Sequence, residues 1–237
     1  MHKMKSLFEA YHLLILFSLT TTTMATAVQR YAKPGYNDTC GNVRIPYPFG
    51  IGAKCSINSY MIDCNSSTPF LPATNNLQVI NVNLENQTVT VKMPKYSPCQ
   101  NPVPNTRQIM SIDLRLSPFL FSKLQNKFVF EGCGNAVMMD QRTRSEVLTV
   151  CSSYCDNNSH SDKNNCFGIG CCQTRIPYSL LSYSINITRQ SRDDRVCGSA
   201  FFVDENLYVS EDTSFDVPVS LLLELINSII SYLYTVI

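Results

Sequence analysis

Tryptophan is absent from the 237 residues, histidine occurs three times, and charged residues make up only 16% of the chain. Each shortage excludes something. So little charge argues against a disordered solvated tail or a long coiled coil. His2 and His12 stand at the extreme N-terminus, which leaves His160 alone for Cys–His or Ser–His catalysis and excludes a Cys2His2 zinc site. His160 lies in the polar stretch Asp156–Asn165, a solvent-facing context. No Asp/Glu pair stands in a recognisable glycosidase motif, so no enzymatic activity, cofactor or metal is expected. With 19 Lys+Arg against 18 Asp+Glu, the net charge of +1 points to no partner, and nucleic acid is not expected.

What the chain has in abundance is cysteine, with 11 residues, which a reducing compartment tolerates poorly. The N-terminus accounts for them. Lys3 and Lys5 precede a short apolar run, Leu13–Leu19, and Ala25-Thr26-Ala27 fits small-x-small cleavage. Residues 1–27 read as a signal peptide and the mature chain as secreted, oxidised and extracellular. N-x-S/T acceptors at Asn37, Asn65, Asn86, Asn157 and Asn186 agree with a glycoprotein.

The mature chain reads as many short strands. Ile80, Val82 and Leu84 alternate on one run and Val89, Val91 and Met93 on the next, with Asn86 at the hairpin tip between them. Tyr183, Ile185 and Ile187 alternate with Ser184, Asn186 and Thr188, placing Asn186 on a polar face. Lys127–Phe130 and Ser199–Val203 are further strand candidates. The expected fold is all-β or β-dominated and disulfide-stapled. The mature length has room for two lobes, around Cys40–Cys99 and Cys133–Cys197, with Gln100–Lys127 as the connection or a long surface excursion. Cysteines stand at 40, 55, 64, 99, 133, 151, 155, 166, 171, 172 and 197. Secretion favours disulfides over a zinc cluster at Cys151, Cys155, Cys171 and Cys172, and adjacent Cys171 and Cys172 should reach different partners. An odd count leaves one thiol free or bonded to another molecule.

Cys40-Gly-Asn-Val-Arg-Ile-Pro-Tyr-Pro-Phe-Gly-Ile-Gly52 resembles the opening signature of the galacturonan-binding extracellular domain of plant wall-associated receptor kinases. Asn126-Lys-Phe-Val-Phe-Glu-Gly-Cys133, Cys151-x-x-x-Cys155, Gly168-Ile-Gly-Cys-Cys-Gln173 and Cys197-Gly-Ser-Ala-Phe-Phe-Val-Asp-Glu205 follow in the family's order. The resemblance spans about residues 34 to 220 and implies pectin, specifically polygalacturonate, as ligand. The family usually carries a cysteine four positions before the Cys-Gly; here that position is Tyr36, which would account for the odd count. Full-length members continue into epidermal-growth-factor-like repeats, a membrane span and a kinase. This chain shows no Gly-rich phosphate loop with a Val-Ala-x-Lys strand, no His-Arg-Asp and no Asp-Phe-Gly, so kinase activity is not expected.

A polyanion needs cations. Residues 86–127 contain Lys92, Lys95, Arg107, Arg115, Lys123 and Lys127 against Asp113 alone, a net +5, whereas residues 201–237 contain 6 acids and no base. The six cations are the candidate ligand-binding residues, Arg pairing carboxylates bidentately, with Tyr96 and Phe119 available to pack on sugar faces. Their bland reading is an ordinary solvated face. Ile45-Pro-Tyr-Pro-Phe49 reads as structural. The alternative function is a secreted protein-binding module, a decoy or co-receptor partnering a related receptor ectodomain.

The domain reading is a signal peptide over 1–27, the cysteine-rich module over 28–218 and an apolar tail over 219–237. In that tail Leu222, Leu225, Ile226, Ile229, Ile230, Leu233, Val236 and Ile237 recur at three and four, which predicts a short amphipathic helix. Glu224 and the lack of a flanking base count against a membrane span, the minority alternative. Expressed in a secretory host, the chain is expected in the medium; recovery only in carbonate-resistant membranes would reverse that reading.

Overall fold

The computed structural model describes residues 32–33, 35–97, 109–141, 146–155, 166–189, 198–208 and 214–223. The leader, Cys99, Arg107, Asn157, His160, Cys197 and the tail from residue 224 lie outside the described residues. Sixteen strands and two short 3-10 turns, Asn58–Tyr60 and Pro72–Thr74, form the described chain. The β-dominated expectation therefore holds.

The largest sheet has seven strands. In spatial order they are β3 (Gly50–Ile51), β4 (Met61–Asn65), β5 (Thr68–Leu71), β6 (Leu77–Asn83), β7 (Thr88–Pro94), β16 (Asp216–Leu223) and β9 (Phe119–Phe121). Only β3 and β4 run parallel. A four-stranded antiparallel sheet orders β12 (Glu146–Ser153), β11 (Gly134–Asp140), β14 (Ser182–Arg189) and β8 (Ile109–Asp113). A three-stranded antiparallel sheet places β10 (Asn126–Glu131) between β13 (Cys171–Arg175) and β15 (Ser199–Asp204). A two-stranded ribbon of β1 (Thr39–Cys40) and β2 (Val43–Arg44) opens the described module.

Period-two burial explains most of these strands. Val89, Val91 and Met93 are buried along β7, and Asn86 lies exposed in the β6–β7 turn. The facing run differs from expectation. A bulge between Val79 and Asn81 shifts the register, so Val79 rather than Ile80 enters the core and Leu84 is exposed in the turn. One extra residue in a strand reverses its side-chain alternation.

Two other expectations are corrected. Val219–Leu223, taken as the start of an amphipathic helix, is the second half of β16, and no α-helix occurs among the described residues. Val217, Val219, Leu221 and Leu223 satisfy period two as well as their neighbours satisfy 3.6, and backbone pairing on both sides with β7 and β9 decides for the strand. The supposed connection between lobes is also structural from residue 109 onward. It supplies β8 to the four-stranded sheet and β9 to the seven-stranded one, and the buried residues of all three large sheets form one core cluster.

Strand β9 shows how that core closes. Phe119 stacks on Phe49 with ring centroids 6.2 Å apart and meets Tyr60 edge-on at 5.6 Å, anchoring the Ile45–Phe49 signature. Phe121 meets Tyr183 of the four-stranded sheet at 4.9 Å and Phe202 of the three-stranded sheet at 5.7 Å. Each such buried ring contributes about 1.5–3 kcal/mol through area removed from water. Full burial pushes the Tyr183 phenol far above its ordinary pKa. Phe119, considered as a sugar platform, is thus a core residue with 0% exposure.

Disulfides join Cys40 to Cys64, Cys133 to Cys155, Cys151 to Cys172 and Cys166 to Cys171. Cys171 and Cys172 do reach different partners, and all four cysteines of the zinc reading are consumed. The first three close loops of 24, 22 and 21 residues, each contributing about 3 kcal/mol on the chain-entropy model. Cys55 is buried and free. A Cβ built on Gly50 would lie 2.3 Å from the Cys55 carbonyl oxygen, so only glycine permits this approach. Lys33 reaches the neighbouring Lys54 carbonyl at 3.3 Å, which brings the Tyr36 segment alongside Cys55.

A buried polar network joins the large sheet to the three-stranded one. Both Asn126 Nδ2 hydrogens are donated, to the Ser122 carbonyl at 2.9 Å and the Ser220 carbonyl at 2.6 Å, while Asn126 Oδ1 accepts from the Ser220 amide at 2.8 Å. Ser220 Oγ donates to the Asp204 carboxylate at 2.6 Å, so Thr90 Oγ1, 3.1 Å from it, must be the donor in that pair. Asn126→Ala would leave the Ser220 amide without its partner in a dry site, while the Ser220 carbonyl keeps the Ser122 amide at 3.1 Å. A loss of about 2–4 kcal/mol is expected, read from the urea midpoint, with the disulfides unchanged.

Candidate functional site

Alternation along β10 separates two chemistries. Phe128 and Phe130 face the core, while Lys127, Val129 and Glu131 point to the opposite side. Register places Lys127 beside Arg175 and Val203, and Glu131 beside Cys171 and Ser199. On this outer side the charges are closely matched. Lys95 Nζ lies 3.5 Å from Glu131 and 4.8 Å above the Phe201 ring, its side chain only 12% exposed. Tyr208 donates its phenol hydrogen to Glu131 at 2.8 Å, and Lys127 Nζ sits 4.8 Å over the Tyr208 ring. Arg175 grips both Glu205 oxygens, at 2.8 and 3.0 Å.

Burial has electrostatic consequences here. Desolvation lowers the Lys127 pKa, with Arg175 pushing the same way and Glu205 opposing. Burial, followed by the bond to Glu131, holds the Tyr208 phenol well above its ordinary value. The ammonium groups of Lys95 and Lys127 therefore lie over aromatic rings beside carboxylates, a pattern that fixes loops onto the sheet as much as it offers charge outward.

The remaining sequence-selected cations lie elsewhere. Lys92 is exposed on β7, opposite Pro218. Arg115 and Lys123 flank the segment 179–181: the amide of Leu114 bonds Leu181, and the amide of Lys123 bonds Ser179 Oγ. Lys123 is exposed and in no ion pair with a described residue. Arg115 is exposed but clamped, its Nε donating to Asp113 Oδ1 and Oδ2 at 2.9 and 2.8 Å. The fold thus brings Lys95 and Lys127 together, sets Arg115 and Lys123 along one segment, and leaves Lys92 on the large sheet. Tyr96 is half-buried, and burial raises its phenol pKa. Sequence reasoning missed Arg175, Glu131, Glu205 and Tyr208, whose pairing spans up to 77 residues and leaves no local signal. Tyr47 of the signature is half-buried, whereas Ile45 and Phe49 are fully buried.

An all-β module stapled by disulfides is of the kind that oxidising compartments favour. No helix among the described residues is long and apolar enough to cross a membrane. Residues 35–93, from the β1 ribbon through β7, match the wall-associated receptor kinase galacturonan-binding family. Wall-associated receptor kinase-like 6 of Arabidopsis thaliana is 31% identical over 196 residues, covering 71% of this chain and 30% of that protein. Wall-associated receptor kinase-like 4 of the same plant is 36% identical over 202 residues, covering 75% of this chain and 26% of its own length. For wall-associated receptor kinase 5 the figures are 30% over 205 residues, 82% and 27%. The chain belongs to the wall-associated receptor kinase galacturonan-binding family. It spans less than a third of the length of these curated relatives. No solved structure matches it.

The matched segment is itself electrically neutral, with Arg44, Lys54 and Lys92 against Asp38, Asp63 and Glu85. Five of the six candidate cations fall outside it. Arg115 gives a direct test of their role. The hydrogen bonds from Arg115 hold the Asp113 carboxyl below the usual carboxylate range, so the clamp persists as pH falls and opens only below that range. Asp113→Asn should free the guanidinium at neutral pH and raise retention on polygalacturonate severalfold at low salt, read by affinity electrophoresis.

Proposed function

We propose that the chain is a non-catalytic, secreted glycoprotein module that binds cell-wall pectin as the polyanion homogalacturonan. The observation that carries the reading is the galacturonan-binding family match over residues 35–93. Its physical support is a set of cations spaced along the surface: Lys92 and Lys123 exposed, Arg115 held by a single carboxylate, and Lys95 and Lys127 beside aromatic rings. Each unesterified galacturonate carries one carboxylate, so separated cations can engage successive sugars of one strand without forming a deep pocket. Arg107 and the other five complete the candidate binding set.

Exposure of Asn37, Asn65 and Asn86 supports glycosylation, since each can carry a bulky glycan without disturbing the core. Asn186 sits in the central strand β14 and is half-buried, the least accommodating of the four described acceptors.

Replacing Lys92, Lys95, Arg107 and Arg115 together by Gln should weaken retention on polygalacturonate about tenfold or more at low salt, with the difference shrinking as salt is raised. Thermal unfolding of the variant separates this from loss of the Lys95 contact with Phe201. Undiminished retention by a folded variant would move the site off these cations. Capture of a related receptor ectodomain in place of the polysaccharide would favour the decoy reading.

A further inference from the structure

The end of the four-stranded sheet holds a cleft unlike the charged surface. Gly134, Asn135, Ser152, Ser153, Tyr154 and Gly168 line a volume of about 340 Å³, and none of them carries a charge. Gly134 pairs with Ser153 and Asn135 with Ser152 across β11 and β12, so the walls are two neighbouring strand ends. Gly168 closes the third side. Its carbonyl accepts from the Tyr154 amide at 2.8 Å, and the Tyr154 carbonyl accepts from Gly170 at 3.0 Å. At φ +107°, a conformation side chains rarely adopt, Gly168 keeps this wall low.

Three further observations mark the cleft as a site. Tyr154 is 56% exposed, and Phe167 beside Gly168 is 82% exposed; neither ring serves the core. Cys133–Cys155, Cys151–Cys172 and Cys166–Cys171 bracket the lining residues, so the rings and strand ends are held rigid before any ligand arrives. Asn135 and Ser152 are exposed and directly opposite each other, offering an amide and a hydroxyl.

We infer that this cleft is a subsite for an uncharged pyranosyl residue, of which methyl-esterified galacturonate is the form pectin supplies. An aromatic ring packs on the C–H face of a sugar, and small amide and hydroxyl side chains exchange hydrogen bonds with its hydroxyls. The volume lies at the low end of the roughly 300–1,000 Å³ of small-molecule sites, room for about one or two sugar residues. With no cation among the described lining residues, these residues give a free carboxylate no partner, which favours the ester. The inference deepens the pectin reading and rests on it: cations would hold charged stretches of the polymer and the cleft an esterified unit.

The test uses the full secreted chain, with fully methyl-esterified hexagalacturonide and de-esterified hexagalacturonide as separate probes in titration calorimetry. Tyr154→Ala should weaken binding of the esterified probe about three- to tenfold and change the de-esterified one less than twofold; Tyr154→Phe should restore it. Asn135→Ala should act in the same direction. Because Tyr154 is exposed, unchanged melting temperature and thiol count are expected and confirm folding. Wild-type protein that binds only the de-esterified probe overturns the subsite and leaves the polyanion reading standing. Binding of the esterified probe alone, sensitive to Tyr154, retains the subsite and sinks the polyanion reading. Esterified-probe binding unaffected by Tyr154→Ala also overturns the subsite.

Discussion

Ser220 is the point at which two sheets of this molecule are joined, and the Asn126 carboxamide is what joins them. Strand β9 pairs with β16 as far as Phe121 opposite Leu221, and the Ser122 amide still donates to the Ser220 carbonyl at 3.1 Å. The Asn126 side chain adds a second donor to that carbonyl and accepts from the Ser220 amide. A peptide-like amide thus completes the ladder at its last rung. Asp204 and Thr90 complete the Ser220 hydroxyl, so each buried polar atom of the junction has a partner. In a dry interior this is an all-or-none requirement, because an unpartnered amide or carbonyl costs more than the bond itself contributes. Asn126 and Asp204 are also register partners in the three-stranded sheet, so the junction sets how β10 and β15 meet the large sheet.

The aromatic core follows from that junction. With β10 and β15 held in place, Phe128 and Phe202 face inward toward Phe121 and Tyr183, one ring region contributed by each large sheet. Disulfides then fix the corner of Gly134, Tyr154 and Gly168, with Cys151 and Cys166 themselves buried in the core cluster. Rigidity there is covalent, and the surface is left free of the packing demands that would bury its rings. Asn126, Asp204, Ile45 and Phe49 hold the fold together, while Tyr154 and Phe167 stand at its surface.

Charge shows the opposite relation between chain and fold. The acidic end of the chain and its basic middle are distinct blocks in sequence, yet folding interleaves them. Glu205 meets Arg175 at 2.8 Å, and β15 lies directly beside the strand carrying Lys127. A surface that looks strongly basic when read in order is partly neutralised by its own C-terminal segment. Among the described residues, the exposed cations Lys92, Arg115 and Lys123 are scattered over separate strands and loops rather than gathered in one stripe.

Much of the architecture was legible from residues 39 to 204. Period-two runs with polar turns marked β7, β10, β14 and β15, and cysteine abundance behind an apolar leader marked an oxidised module. Those signals are local: side-chain alternation, turn chemistry and cysteine usage act over a few residues. The segment Val219–Leu223 was ambiguous because its apolar residues fit two periods, and only the neighbours β7 and β9 made it a strand. A bulge at Val79–Asn81 reversed which valine and isoleucine entered the core. Cys166–Cys171 and Arg115–Asp113 are local, but three of the four described disulfides and the pairs Lys95–Glu131 and Arg175–Glu205 join residues more than twenty positions apart. The sequence by itself determined strand composition, redox class and family, whereas tertiary structure alone decided the pairings, because alternation says which face a side chain takes and nothing about which strand it will face.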